Sequence, residues 1–312
     1  MRRVQLMKTA PLPMRQGVAP SRVYLPPGPW ATVFDFLQER FPALSAQQLL
    51  VRLKQGDIVD AQGLPQSPDT PYLAGGWLWY YRKVEQERKV PFSLKILYHD
   101  ERLVVIDKPH FLASVPGGQY VQETALSRLR HLLQQPLLTP IHRLDRETAG
   151  VMVFCVDPAS RGAYQSLFQS RAVQKEYEAL AAFRSTLPLP CCYRSRIEHG
   201  QTRFFMQEVA GSPNSETFIS LLARKGRWAH YLLRPTSGRK HQLRVHLNAL
   251  KIPILNDRFY PKPLPIDTPD DFNRPLQLLA RALEFTDPIT GQRRRFESKR
   301  HLWPLESINQ RL

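Results

Sequence analysis

The sequence predicts an α+β fold in which strands form hairpins and short helices pack around them. Two observations support this class. Apolar segments of strand length are separated by short turns, for example the turn at Lys225 and Gly226. Helical periodicity is confined to short stretches, such as the one through Leu126, Leu129 and Leu133. Strands and helices that occur in separate runs are typical of α+β proteins.

The composition favours a polyanionic partner. The 312 residues are 42% hydrophobic, which is enough for a substantial core, and they carry a formal charge of +17 with a pI near 10.1. Because such a surface releases counterions from phosphate backbones, nucleic acid is the first candidate and an anionic membrane the second. No stretch has the length and apolarity of a membrane span, and residues 1–16 lack the apolar centre of a signal peptide. We therefore expect a cytoplasmic protein.

The three cysteines give no indication of a metal site. Cys155 lies in an apolar segment, Cys191 and Cys192 are adjacent, and no Cys-x-x-Cys spacing occurs. Adjacent cysteines are poor zinc ligands because tetrahedral chelation normally needs residues between them. The sequence predicts reduced thiols and no metal.

The first 84 residues predict two segments. Residues 1–27 hold basic residues, five prolines and no acidic residue, which is typical of a basic extended arm. Residues 28–84 predict a helix-helix-hairpin unit, with Ser45 and Gln48 as a capping box before the second helix and an aromatic strand over 77–81. In that strand Trp77, Trp79 and Tyr81 share one face, where they either pack in a core or stack on bases.

This α/β unit resembles the small RNA-binding module, named after a ribosomal protein, that precedes the catalytic domain of many RNA-modifying enzymes. Modules of that type usually place basic residues at the start of the second helix. Here residues 45–48 read Ser-Ala-Gln-Gln.

A second domain is predicted over 91–312, after a charged linker that ends at Pro91. The segment 183–215 gives no clear pattern. The predicted elements are a hairpin over 94–98 and 103–106, a helix over 126–133, a strand over 151–156, a helix opened by Asp157 and Pro158, a strand over 175–180, a hairpin over 217–222 and 228–233, a helix over 243–250, and short sheet segments over 276–280 and 282–285.

A charged loop precedes the buried strand at 151–156. Because this strand is apolar throughout, Asp145 should lie at the rim of the sheet, where sites are commonly built. Arg143 and Arg146 flank Asp145 and would keep its carboxylate ionised, as a nucleophile requires. An ordinary ion-paired loop would have the same charge pattern.

A second motif, residues 238–247, leads from a Ser/Gly turn into a helix. His241, Arg244 and Asn248 recur at helical spacing on one face of it. A basic, hydrogen-bonding face near the start of a helix suits an anion, either phosphate or carboxylate.

In their order, these segments resemble the RluA-type family of RNA pseudouridine synthases. The resemblance covers about residues 94–300. The matching segments are 96–98 (Ile-Leu-Tyr) through 105–109 (Val-Ile-Asp-Lys-Pro), 142–145 (His-Arg-Leu-Asp) with Thr148 and Gly150, 175–177 (Lys-Glu-Tyr), 238–246 (Gly-Arg-Lys-His-Gln-Leu-Arg-Val-His), and Pro253-Ile254 with Asp257.

The resemblance implies a bent, mixed and largely antiparallel sheet with surrounding helices and a central cleft. It also implies an enzyme that converts uridine in structured RNA, ribosomal or transfer, into pseudouridine without cofactor or metal. Asp145 would be the essential carboxylate, which attacks the ribose or assists glycosidic cleavage. Tyr177 would lie against the target base as a stacking surface and proton acceptor, and Arg244 would hold Asp145 ionised through a salt bridge.

Four further residues are assigned to RNA binding. Arg143 would enter the RNA helix where the uridine leaves, and His142, Arg239 and His241 would contact the substrate. The chain departs from the family at Ala149, where serine is usual, and at Asn256, where glycine is usual. Since asparagine tolerates a left-handed turn, we expect altered loop rigidity there and retained activity.

Two other functions fit parts of the sequence. A non-catalytic RNA-binding or ribosome-assembly protein would share the fold and the basic surface. A hydrolase with a cysteine nucleophile and His142 or His241 would be inactivated by thiol alkylation, but Cys155 lies in a buried strand. We expect a monomer, because no heptad pattern is present.

Overall fold

The computed structural model describes residues 10–84, 87–200, 205–265 and 267–311. The chain divides into two compact units, Met1–Glu87 and Arg88–Leu312. In the described residues no helix combines the length and apolarity that a membrane crossing requires.

The first unit is a three-stranded antiparallel sheet with two helices. Its sheet order is β1-β3-β2. The predicted capping box of Ser45 and Gln48 is present, and Thr32 and Asp35 form another before the first helix. The elements are β1 Ser21–Tyr24, α1 Val33–Arg40, α2 Ala46–Lys54, β2 Ile58–Val59 and β3 Trp77–Tyr80. One apolar face of the sheet packs on both helices through Val23, Leu37, Leu49, Leu53 and Leu78.

The predicted arm over 1–27 is wrong in its second half, while residues 1–9 lie outside the described residues. Strand β1 pairs with β3, so the helix-helix-hairpin unit has a third strand. Val18, Val23 and Leu25 are buried, and the Tyr81 hydroxyl donates a hydrogen bond to the Pro13 carbonyl. The apolar residues of this segment are too few, and too interrupted by prolines, to have shown this from the sequence.

The second unit is an α+β domain around one large sheet, which confirms the predicted fold class. Its path runs β10-β9-β11-β12-β8-β13-β7-β5-β4, with β14 on β13 and β6 on β7. The strands are β4 Lys95–His99, β5 Leu103–Lys108, β6 Thr139–Pro140, β7 Ala149–Cys155, β8 Gln174–Ala182, β9 Cys191–His199, β10 Met206–Val209, β11 Ser215–Lys225, β12 Trp228–Pro235, β13 Leu278–Thr286 and β14 Arg293–Glu297. The helices are α3 Ala125–Leu133, α4 Arg161–Gln169, α5 Gln242–Ala249, the 3-10 turn Leu305–Ser307 and α6 Ile308–Arg311.

The sheet is mixed because β7 and β13 pair in parallel, at Leu279 with Ala149 and at Ala280 with Gly150. Every other pairing among the described strands is antiparallel. All seven residues of β7 are buried, as the apolar run predicted.

Two local expectations were wrong, and one segment without a prediction contains strands. Residues 276–285 hold one strand, β13, with a bulge between Ala280 and Ala282 where two segments were expected. The segment 183–215, which gave no pattern, contains β9, β10 and the start of β11. Helix α4 begins at Arg161, later than predicted, because the Asp157 carboxylate accepts hydrogen bonds from the amides of Ala159 and Ser160 in a turn before it.

Gly150 allows the close approach of β7 and β13. Its φ of +116° is rarely adopted by other residues, and a Cβ at this position would lie 2.2 Å from the Ala280 carbonyl oxygen. A side chain would therefore force the two backbones apart at the parallel pairing.

We predict that Gly150→Ala destabilises the protein by about 3 kcal/mol or more and lowers Tm by about 10 °C. Gly226→Ala is the matched control, because Gly226 also has a positive φ, +56°, but has no atom within 4 Å of an added Cβ. Its cost should be about 1 kcal/mol. Thermal unfolding of both variants measures the difference, and equal losses would contradict the clash.

Candidate active site

A cavity of about 570 Å³ lies beside the start of β7 and is lined from β8 and from the turn before α5. The sequence-predicted site residues are brought together here. His142, Arg143, Asp145, Tyr177, Arg239, His241 and Arg244 all line it. Leu278 of β13 also lines the cavity, and β13 pairs with both β7 and β8. Asp145 and Tyr177 therefore come from opposite sides of one strand.

The loop that carries Asp145 is fixed by contacts with preceding segments. The Ser114 hydroxyl donates to the Leu144 carbonyl at 2.6 Å and accepts from the Leu144 amide at 3.1 Å. The Thr148 amide donates to the Asp145 carbonyl at 3.1 Å and closes a turn. The backbone on both sides of the Asp145 side chain is thus held in place.

Arg244 is fully buried among three carboxylates. Its Nε and Nη2 donate to the two Asp257 oxygens at 2.8 and 2.7 Å, a bidentate pair. Its Nη1 lies 3.4 Å from Asp145 Oδ2 and 3.5 Å from Glu147 Oε2. The predicted pair of Arg244 with Asp145 is therefore present, but the main partner of Arg244 is Asp257.

Arg244, which was expected to keep Asp145 ionised, acts on it together with His241 and Lys108, which were not expected to. Burial raises the pKa of Asp145, but His241, Arg244 and Lys108 outweigh this, and the net pKa is below its usual value. Neither flanking arginine is among the largest influences on the pKa of Asp145. The Arg146 guanidinium donates to both Asp270 oxygens at 2.8 Å, and Arg143 is exposed.

Tyr177 lies on β8 opposite Ala280 of β13 and Leu233 of β12. Burial, followed by the charge of Asp145, raises the pKa of its hydroxyl well above the usual range. The phenol is therefore protonated at neutral pH. Lys175, on the same face two residues earlier, donates to the Ser237 carbonyl at 2.7 Å.

His142 has a structural contact where RNA binding was expected. Its Nε2 accepts a hydrogen bond from the Val153 amide at 3.1 Å, and its ring stacks on Phe168 with centroids 4.7 Å apart. Burial, with a contribution from Lys175, lowers the pKa of His142 to about 3, so the ring is neutral. Its acceptor nitrogen is thus occupied by the backbone of β7.

His241 precedes α5 in a left-handed conformation, with φ of +56°. Its Nδ1 lies 3.1 Å from the Tyr260 hydroxyl, and its ring lies beside Phe259. Burial lowers the pKa of His241 despite the charge of Asp145. Arg239 is exposed, and its Nε donates to the Asn214 carbonyl at 3.3 Å.

Sequence reasoning missed Glu147, Lys108 and the role of Asp257. Asp257 follows Asn256, whose φ of +61° confirms the expected left-handed turn. Lys108 is buried and donates to the carbonyls of Pro109, Leu112 and Arg146 at 3.0, 2.7 and 3.2 Å. Burial lowers the pKa of Lys108 to about 7, against the opposing charges of Glu147 and Asp145. For Lys108, the sequence signal that could have indicated a site residue was a charged residue at the end of an apolar strand.

None of the described residues that line the cavity is a cysteine. Burial raises the pKa of the Cys155 thiol, which disfavours the thiolate. The described ranges also contain no group of three or more His, Cys, Asp or Glu residues arranged to hold a metal ion.

Comparisons with known proteins agree on one family. Residues 102–249 match the family model described as RNA pseudouridylate synthase. The chain is 33% identical over 215 residues to the dual-specificity RNA pseudouridine synthase RluA of Haemophilus influenzae, covering 66% of this chain and 93% of that protein. It is 32% identical over 245 residues to the ribosomal large subunit pseudouridine synthase D of Xylella fastidiosa, covering 76% of this chain and 73% of that protein.

A solved structure agrees with these sequence matches. Human RNA pseudouridylate synthase domain containing 4 superposes with a TM-score of 0.52 at 28% identity, over 69% of this chain and 92% of that one. The chain therefore belongs to the RluA-type family of RNA pseudouridine synthases and is an isomerase.

Proposed function

We propose that this enzyme forms pseudouridine at specific uridines of structured ribosomal or transfer RNA, with Asp145 as the essential carboxylate. The observation that carries the proposal is the environment of Asp145. Its carboxylate is kept ionised beside the buried Arg244 guanidinium, and it lines a cavity that Tyr177 also lines. The cavity volume of about 570 Å³ is within the range of small-molecule sites.

The reaction needs few groups because it is an isomerisation. The bond between ribose C1′ and uracil N1 breaks, the uracil turns, and C1′ bonds to C5. The C5 proton leaves, and N1 gains a proton. Atoms and electrons balance without a donor or oxidant. Asp145 acts in the first stage, as a nucleophile on the ribose or by assisting glycosidic cleavage, and both roles require its ionised form.

Tyr177 is proposed to lie against the target uracil. Its ring provides a flat apolar surface on which a base can stack. As a proton acceptor, the second role predicted for it, the hydroxyl would first have to lose its own proton, which its raised pKa opposes. The ionised Asp145 carboxylate can instead accept the C5 proton.

The mouth of the cavity is proposed to hold the RNA. Arg143 and Arg239 are exposed there, and both can contact phosphates. Extracting a base from a helix costs a few kcal/mol of stacking, and the planar Arg143 guanidinium can replace part of it. The names of the two relatives, one dual-specific and one acting on the large ribosomal subunit, support testing both RNA classes.

We predict that Asp145→Asn lowers pseudouridine formation by at least about 10³-fold, because the uncharged amide has neither nucleophilic nor basic character. RNA affinity should change only a few-fold, since the exposed arginines remain. Tritium release from C5-labelled uridine in ribosomal and transfer RNA transcripts measures the reaction, and filter binding measures affinity.

Asp271→Asn is the matched control, because it makes the same chemical change at an exposed aspartate outside the cavity. It should retain full activity. If Asp145→Asn kept wild-type tritium release, the assignment of the carboxylate would be wrong. RNA binding without release from any transcript by the wild type would favour the non-catalytic RNA-binding protein.

We predict that Arg244→Lys moves the acid limb of kcat/KM to higher pH. Asp145 has a lowered pKa, so activity is present above that pKa and lost as pH falls through it. Lysine keeps one charge but cannot reach Asp257 and Asp145 together, so the pKa of Asp145 should rise toward its usual value.

The pH profile of tritium release tests this change in Arg244. Arg234→Lys is the control, because Arg234 is exposed outside the cavity and pairs with Glu176 at 2.9 Å. Its acid limb should coincide with that of the wild type. An unchanged acid limb in Arg244→Lys would show that Arg244 does not hold Asp145 ionised.

A further inference from the structure

The outer face of the first unit's sheet combines basic and aromatic side chains. Strand β1 pairs with β3 so that Arg22 lies opposite Trp79 and Tyr24 lies opposite Trp77. Paired residues point to the same side of a sheet, and alternate residues along each strand share that side. Since Val23 and Leu78 belong to the core, these four residues occupy the opposite face.

The side chains on this face are in contact with one another. The Arg22 guanidinium lies 4.3 Å from the Trp77 ring centroid and 5.4 Å from that of Trp79. The rings of Tyr24 and Trp77 are 5.1 Å apart. Tyr24 is 43% exposed and Trp77 36%, whereas Trp79 is 8% exposed. Arg22, Tyr24 and Trp77 are thus open to solvent, while Trp79 is buried beside them.

This outer face carries the chemistry that unpaired nucleotides recognise. Bases stack on aromatic rings and guanidinium planes, and arginine also binds phosphate. Strands β1, β2 and β3 contribute no acidic residue that would repel a phosphate backbone. The positive charge of Arg22 on this face favours a polyanion over an apolar protein partner.

The helices of this unit are less suited to RNA. The start of α2 has no basic residue. Arg52, further along it, donates to the Tyr81 carbonyl at 2.7 Å and lies 4.0 Å from the Asp57 carboxylate. Its guanidinium is therefore engaged within the unit. Arg40 and Lys54 are exposed and are the remaining basic residues of the two helices.

We propose that the exposed side chains of Arg22, Tyr24 and Trp77, with Trp79 buried beside them, bind a single-stranded segment of RNA by stacking. This inference rests on the proposed function only in that the substrate is RNA. It assigns to the first unit an RNA contact through its sheet, on the side opposite the helices, and separate from the chemistry at Asp145.

The test is equilibrium binding of a short fluorescent oligoadenylate to the full chain, because this probe offers no uridine to the cavity. The double variant Arg22→Ala, Trp77→Leu should bind about tenfold more weakly than the wild type. The helix variant Arg40→Ala, Lys54→Ala removes two cations and should bind nearly as the wild type. Trp77→Phe keeps a ring and should retain most of the affinity, which separates stacking from a structural role.

Several outcomes would overturn the proposal. The first is that the helix variant binds oligoadenylate more weakly while the sheet variant does not. The second is that the wild type shows no measurable oligoadenylate binding at low salt. The third is that the wild type binds an RNA duplex as tightly as oligoadenylate. If the double variant has a lowered Tm, Tyr24→Ala can replace it. This variant removes a single exposed ring from the same face and should also weaken oligoadenylate binding. Asp145→Asn should bind oligoadenylate normally while losing tritium release, so failure of this inference is distinguishable from failure of the proposed function.

Discussion

The site depends on the ion pairs made by the buried Arg244 guanidinium. A charge with no exposure to water is stable only when it is paired and hydrogen-bonded, and Asp257 satisfies two of its nitrogens in a bidentate pair. The third nitrogen is then directed at Asp145 and Glu147. Three carboxylates around one guanidinium would leave an excess of negative charge. Lys108, buried behind the loop, offsets part of it when protonated.

The architecture explains why the Asp145 carboxylate and Tyr177 line the same cavity. The parallel pairing of β7 with β13 puts the start of β7 next to the centre of the sheet, and β8 borders β13 on its other side. Gly150 permits that pairing, because a side chain there would overlap the Ala280 backbone. The absence of a side chain at Gly150 thus permits the strand pairing that brings Asp145 and Tyr177 to one cavity.

The parts of this structure that the sequence predicted are those set by neighbouring residues. The capping box at Ser45, the buried run of β7 and the left-handed turn at Asn256 all depend on residues within a few positions. The position of Asp145 at the rim of the sheet was predicted because it adjoins an apolar strand. By contrast, the pairing of Arg244 with Asp257 and the contact of His142 with the Val153 amide depend on how the chain folds back. Strand β1 also depends on the fold, because its few apolar residues do not indicate a strand until β3 is known to pair with them.

The net charge of +17 overstates the basic surface that RNA can use. Many arginines are engaged within the fold, including Arg146 with Asp270, Arg281 with Glu178 and Arg295 with Glu176. Pairs of this kind cannot release counterions from a phosphate backbone without breaking. The salt dependence of binding should therefore reflect exposed cations such as Arg143 and Arg239 at the cavity mouth. In the proposed function, chemistry at Asp145 depends on Arg244, whose pair with Asp257 is buried and is screened much less by salt. Ionic strength should therefore lower RNA affinity before it affects the chemical step.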